Sequence, residues 1–109
     1  MTAQLSLTLT IAEQRAERER TLDARFADFV AENPHVVDLL ERLALDLLAR
    51  GRKHGSMKML FEVARWQHAL TTTDPDWKLN NSYTSRASRL LEQRRPELRG
   101  FFEMRELRS

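Results

Sequence analysis

The sequence predicts a mainly α-helical chain: a compact bundle of about four helices, helix-turn-helix-like, with a possible short strand at each terminus. Three observations predict it. Leu, Ala, Arg and Glu dominate, while there are only three Gly and three Pro. Apolar residues recur at spacings of three and four over most of the chain. Helix-ending residues fall between those stretches, at Asn33-Pro34, Gly51, Gly55-Ser56 and Pro96. The length of 109 residues suits one domain.

Residues 1–11 read as an extended N-terminal peptide, because Leu5, Leu7, Leu9 and Ile11 alternate with polar residues. Residues 12–32 predict a charged amphipathic helix. Its first half mixes acid and base, and Leu22, Phe26, Phe29 and Val30 then form an apolar stripe. The early half is expected to project into solvent and the later half to dock. Residues 33–109 are expected to form the helical core domain. Asn33 is a candidate N-cap, with Pro34 at the first helical position. Val36, Val37, Leu40, Leu43, Ala44, Leu47 and Leu48 give residues 34–50 a wide apolar face, and Gly51 supplies a left-handed C-cap. Ser56 caps a third helix, whose expected inner face is Met59, Leu60, Val63, Ala64, Trp66 and Leu70. Asp74-Pro75-Asp76 marks a turn. A fourth helix is expected from about Ser82 to Gln93, with Tyr83, Ala87, Leu90 and Leu91 inward. Pro96 and Gly100 bracket a turn, and the tail FFEMRELRS suits a strand or a last helical turn.

The net charge is only +2, but it is unevenly spread. Residues 50–58, RGRKHGSMK, carry +4 without an acid, and residues 78–109 also carry +4. The three other stretches carry −2 each. Two basic segments folded onto one face would attract phosphate. The chain has no cysteine, which removes disulfides, thiol catalysis and thiolate metal sites. That fits a reducing compartment, and a cytoplasmic location is expected. No apolar run approaches the roughly 20 residues of a membrane helix, and no signal-peptide layout opens the chain, so no membrane partner is expected.

The predicted outer face of the fourth helix reads Ser82, Arg86, Arg89 and Gln93, with Asn80 and Asn81 at its start. Arg, Asn, Gln and Ser read base edges and phosphates through forked or paired hydrogen bonds. Following a packed helix, this resembles the second helix of a helix-turn-helix. The connection, roughly eleven residues, is longer than the usual 3–4-residue turn. Arg52, Lys53 and Lys58 form a second candidate phosphate patch, although cations at a helix C-terminus also need no ligand. His35, His54 and His68 show no metal-ligand spacing. No phosphate loop, nucleophile elbow or catalytic carboxylate pair is present. Neither an enzyme, a cofactor, a metal nor a small-molecule substrate is expected. Trp66 and Trp77 read as packing anchors before base-stacking platforms.

The hexapeptide QLSLTL, Gln4 to Leu9, resembles the short bacterial sliding-clamp-binding motif. The resemblance implies that Gln4 enters a small pocket, that Leu7 and Leu9 enter a hydrophobic cleft, and that Leu5 supports the extended backbone. An extended peptide laying alternate side chains into a partner is a known recognition mode. The competing reading is a strand paired with the tail. NPHVVDLL, RGRKHG, FEVARW, DPDWKLNNSYTSRASRLL and the P-ELRGFFEMRELRS ending resemble small phage- and prophage-associated bacterial proteins, with Ala87-Ser88 departing from the expected Tyr-Ala type pair. The expectation from these readings is a non-catalytic, DNA-associated accessory protein tethered to the sliding clamp. The alternative is a protein-interaction module, such as a phage-type antagonist of a host replication or defence protein, without DNA binding.

Overall fold

The computed structural model describes residues 10–102, so Gln4, Leu5, Leu7 and Leu9 lie outside the described residues, as does the tail beyond Phe102. The first helix, α1, spans Ile11–Glu32. Thr10 caps it: its hydroxyl accepts the Glu13 N–H at 3.0 Å, and the Glu13 carboxylate accepts the Thr10 N–H at 2.8 Å. This reciprocal capping box satisfies two otherwise orphaned donors. Ile11 is therefore helical, and the extended segment expected over 1–11 gives way at that residue. The Thr10 backbone N–H, and secondarily its hydroxyl, hold the Glu13 carboxyl below its ordinary value of 4.5. A lowered carboxyl stabilises the helix start above that value and loses the contribution as pH falls through the lowered one. Thr10→Ala is expected to speed amide exchange at Glu13, read by NMR at neutral pH.

No α1 residue is fully buried. Residues 11–21 are exposed, whereas Leu22, Phe26, Phe29 and Val30 are half-buried against the core. Phe26 meets Tyr83 edge-on at 5.4 Å, and Phe29 tilts onto Tyr83 and Trp77 at 5.6 and 6.1 Å. The half-projecting, half-docked helix is as its sequence pattern predicts.

The second helix, α2, spans Pro34–Ala49 and buries Val36, Val37, Leu40 and Ala44. Its N-cap differs from expectation. The Asn33 side chain makes no cap hydrogen bond. Its amide donates back to the Phe29 carbonyl, and its oxygen accepts the Trp77 indole N–H, both at 3.0 Å. Asn33 thus pins the α1–α2 corner to a distant loop. Gly51, at φ +90°, ends the helix with Gly51 N–H on Leu48 O and Arg52 N–H on Leu47 O. This is the paired bonding of a Schellman cap, which glycine adopts without steric cost.

The third helix, α3, spans Met57–Thr71, and Ser56 Oγ accepts the Met59 N–H at 3.2 Å. Its inner face is Met57, Leu60, Phe61 and Ala64. Met59, Trp66 and Leu70 instead lie outside, 54%, 64% and 66% exposed. The helix is apolar on two opposite faces, so spacing alone does not identify the buried one. After the Asp74-Pro75-Asp76 turn, where Asp74 Oδ1 accepts the Asp76 N–H at 2.9 Å, a 3-10 turn covers Asn81–Tyr83. The fourth helix, α4, spans Thr84–Arg94 and buries Arg86, Ala87, Ser88 and Leu91, while Leu90 is half-buried. A second 3-10 turn, Pro96–Leu98, and Gly100 at φ +79° bring Leu98, Phe101 and Phe102 into the core.

The expected mainly α, bundle-like class holds, with α3 packed on α2 and α4 packed on α3. The one β contact among the described residues is a parallel bridge between Gly55 and Phe102. No described helix is long and apolar enough to cross a membrane.

Candidate nucleic-acid interface

The connection from Thr72 to Tyr83 is far longer than a helix-turn-helix turn, yet it is tied down. Arg65, on α3, donates to the Leu79 carbonyl and, at 2.7 Å, to Asn81 Oδ1. That places the start of α4 beside the second half of α3. At the other end, Gly55 N–H donates to Phe101 O at 2.9 Å. A Cβ on Gly55 would stand 2.3 Å from a Phe101 ring carbon, so only glycine permits this approach. The chain thus runs along α3, crosses over, and returns through α4 to the loop before α3.

This path divides the predicted site residues into two groups. Asn80, Asn81 and Ser82 lie near the C-terminal end of α3. Asn80 Oδ1 accepts the Ser82 N–H at 2.8 Å, capping the 3-10 turn, and Asn81 Oδ1 is held by Arg65. Both asparagines line a cleft of about 680 Å³ with Arg65, His68, Trp77 and Lys78. Arg52, Lys53 and Lys58 lie around the N-terminal end of α3, where Lys58 is seven residues, or roughly 10 Å of helix rise, before Arg65. All three are exposed. The two groups are therefore offset along α3.

Arg86 is the main correction. The sequence pattern puts it on the outer face of α4, but its side chain is only 7% exposed. Its guanidinium reaches Asp23 and Glu19 on α1. Burial opposes its charge, but the hydrogen bonds it donates to Asp23 and Glu19, with their negative charges, outweigh that and hold its pKa above the ordinary arginine value. Two further cations are also engaged internally. Arg94 lies 2.9 Å from Asp38 and 3.0 Å from Glu41 on α2. Arg95 lies 2.7 Å from Glu41, which raises its pKa chiefly through that hydrogen bond. Much of the positive charge of the C-terminal segment therefore holds helices together.

Arg89 and Gln93 remain on the surface. With Glu92 and Arg99 they line a shallow concavity of about 170 Å³. Arg99 is exposed and lies just before the Phe101–Gly55 contact. That contact brings the Arg89–Gln93–Arg99 group towards Arg52 and Lys53. Among the described residues, neither the 50–58 segment nor Arg89 and Arg99 enters an ion pair. Helical spacing does not single out Arg99, because it sits outside any helix and joins the group only through the bridge.

Trp77 gives no open stacking platform. Trp77 is enclosed between Phe29 and His68, whose ring lies parallel to it at 3.7 Å. His35 lies beyond His68 at 6.3 Å. Among the described residues, no group of three or more His, Cys, Asp or Glu is placed to hold a metal ion. Comparison with protein-family models, with curated proteins and with solved structures finds no match to this chain.

Proposed function

We propose that the chain is a non-catalytic, DNA-associated accessory protein, carried to the bacterial sliding clamp by Gln4, Leu5, Leu7 and Leu9. The nucleic-acid surface in this reading is the end that carries Arg52, Lys53, Lys58, Arg89, Gln93 and Arg99. The observation that supports it is the Gly55–Phe101 hydrogen bond, which joins the acid-free basic loop to the returning C-terminal segment. Such a surface suits phosphate contact without base readout. Arg86 leaves the proposal as a contact residue because it is already paired. Asn80, Asn81 and Ser82 leave it because they sit at the other end of α3.

Fluorescence anisotropy with a labelled DNA duplex tests this reading. The logarithm of affinity is expected to fall linearly with the logarithm of salt, with a slope of about −0.9 per phosphate engaged. Arg52→Ala, Lys53→Ala and Arg89→Ala are each expected to reduce that slope by about 1. Asn80→Ala is expected to leave it unchanged. No complex at low salt would end the DNA reading. The clamp limb is tested separately with a peptide covering residues 1–12 and its Leu7→Ala, Leu9→Ala control. The alternative, an interaction module without DNA affinity, is favoured by one observation: Arg86, Arg94 and Arg95 are consumed by internal ion pairs.

A further inference from the structure

The face of α3 away from the core is largely exposed among the described residues, with Val63 half-buried. Met59, Val63, Trp66 and Leu70 follow one another at spacings of four, three and four. That is the d-a-d-a order of a coiled-coil seam. Met57, Leu60, Phe61 and Ala64, which fill the core, lie on the other side. Met59, Trp66 and Leu70 are each more than half exposed. The two ends of the seam differ in charge. Arg52, Lys53 and Lys58 lie at its N-terminal end without an acid among residues 50–58, and Asp74 and Asp76, outnumbering Lys78, follow its C-terminal end. A concavity of about 280 Å³ lies beside Met59, lined also by Leu47, Arg52 and His54.

We propose that this seam binds a second copy of the chain, with the two α3 helices antiparallel about a two-fold axis between Val63 and Trp66. In that register Met59 faces Leu70 of the second copy, and Val63 faces Trp66. Leu70 enters the concavity beside Met59. The basic end of each seam meets the acidic end of the other, and the two-fold repeats the match. A parallel pair would set basic end against basic end. Isologous interfaces of this kind are self-complementary by construction. The seam is short against the roughly 800 Å² per partner of a standard interface, so the pair is transient, with a dissociation constant on the order of tens of micromolar.

The test uses the full chain without nucleic acid, because Arg52 and Lys53 also serve the proposed DNA surface. Sedimentation velocity from about 1 µM to about 500 µM is expected to show a monomer passing to a dimer. Trp66→Glu, at an exposed position, is expected to remain monomeric with an unchanged helical circular-dichroism spectrum. The absence of cysteine allows a register test. Met59→Cys and Leu70→Cys proteins are expected to form a disulfide dimer when mixed, and far less when oxidised separately. A wild-type chain that stays monomeric overturns the proposal. So does a Trp66→Glu variant that dimerises like wild type, or a Met59→Cys protein that cross-links readily with itself.

Discussion

Phe61→Ala is expected to cost about 3–5 kcal/mol of folding free energy, while Trp66→Ala in dilute protein costs less than about 0.5 kcal/mol. Both residues sit on α3, and tryptophan is the larger side chain. Phe61 is 0% exposed and belongs to the continuous core cluster, so truncation leaves a cavity that its neighbours fill only in part. Trp66 is 64% exposed, and its removal uncovers little. The Phe61 loss is a large share of the 5–15 kcal/mol typical of a domain. Urea denaturation with the two variants measures the difference directly. Equal losses would mean that the helix is rotated from the orientation described.

The second large effect concerns the docking of α1. Glu19→Gln combined with Asp23→Asn is expected to cost about 2 kcal/mol, and Arg86→Met less than about 1 kcal/mol. The asymmetry follows from burial. The two carboxylates are 66% and 64% exposed, so they are readily solvated when Arg86 is removed. The guanidinium is covered by α1 and loses all countercharge when the acids are neutralised. Methionine also keeps much of the apolar stem packing. A raised arginine pKa contributes stability that is fully present below the unfolded value and lost only as pH rises through the folded one. The contribution of Arg86 is therefore expected to be level from about pH 6 to pH 9. Hydrogen exchange at Glu19–Phe26 reports the loss of docking in either variant.

The helices and their stops were legible because capping and periodicity are local. The Gly51 cap, the Ser56 cap, the Asp74–Asp76 turn and the inward Tyr83, Ala87 and Leu91 all appear where sequence spacing places them. What was not legible depends on residues far apart in the chain. Arg86 reads as an outer residue until Glu19 and Asp23 are brought to it. Asn33 reads as a cap until Trp77 supplies a better use for its oxygen. Met59, Trp66 and Leu70 carry the same spacing as a core face, and only the position of α2 decides which face is buried. The candidate interface behaves likewise. Its basic loop is visible as charge without acid, but Arg99 joins it through one backbone hydrogen bond that leaves no periodic signal.

The grip of Arg86 on α1 spans sequence separations of 63 and 67 residues, and Trp77 lies 44 residues beyond Asn33. A ribosome releases α1 before Trp77 and Arg86, which receive it. At about 5–20 residues per second, the first helix waits several seconds before its seat exists. Its charged first half needs no cover in that interval, and its capping box is complete within four residues of Thr10. The apolar Leu22, Phe26, Phe29 and Val30 are the part at risk during synthesis. The order of manufacture thus separates α1 in time from Trp77 and Arg86, the partners that hold it in the finished fold.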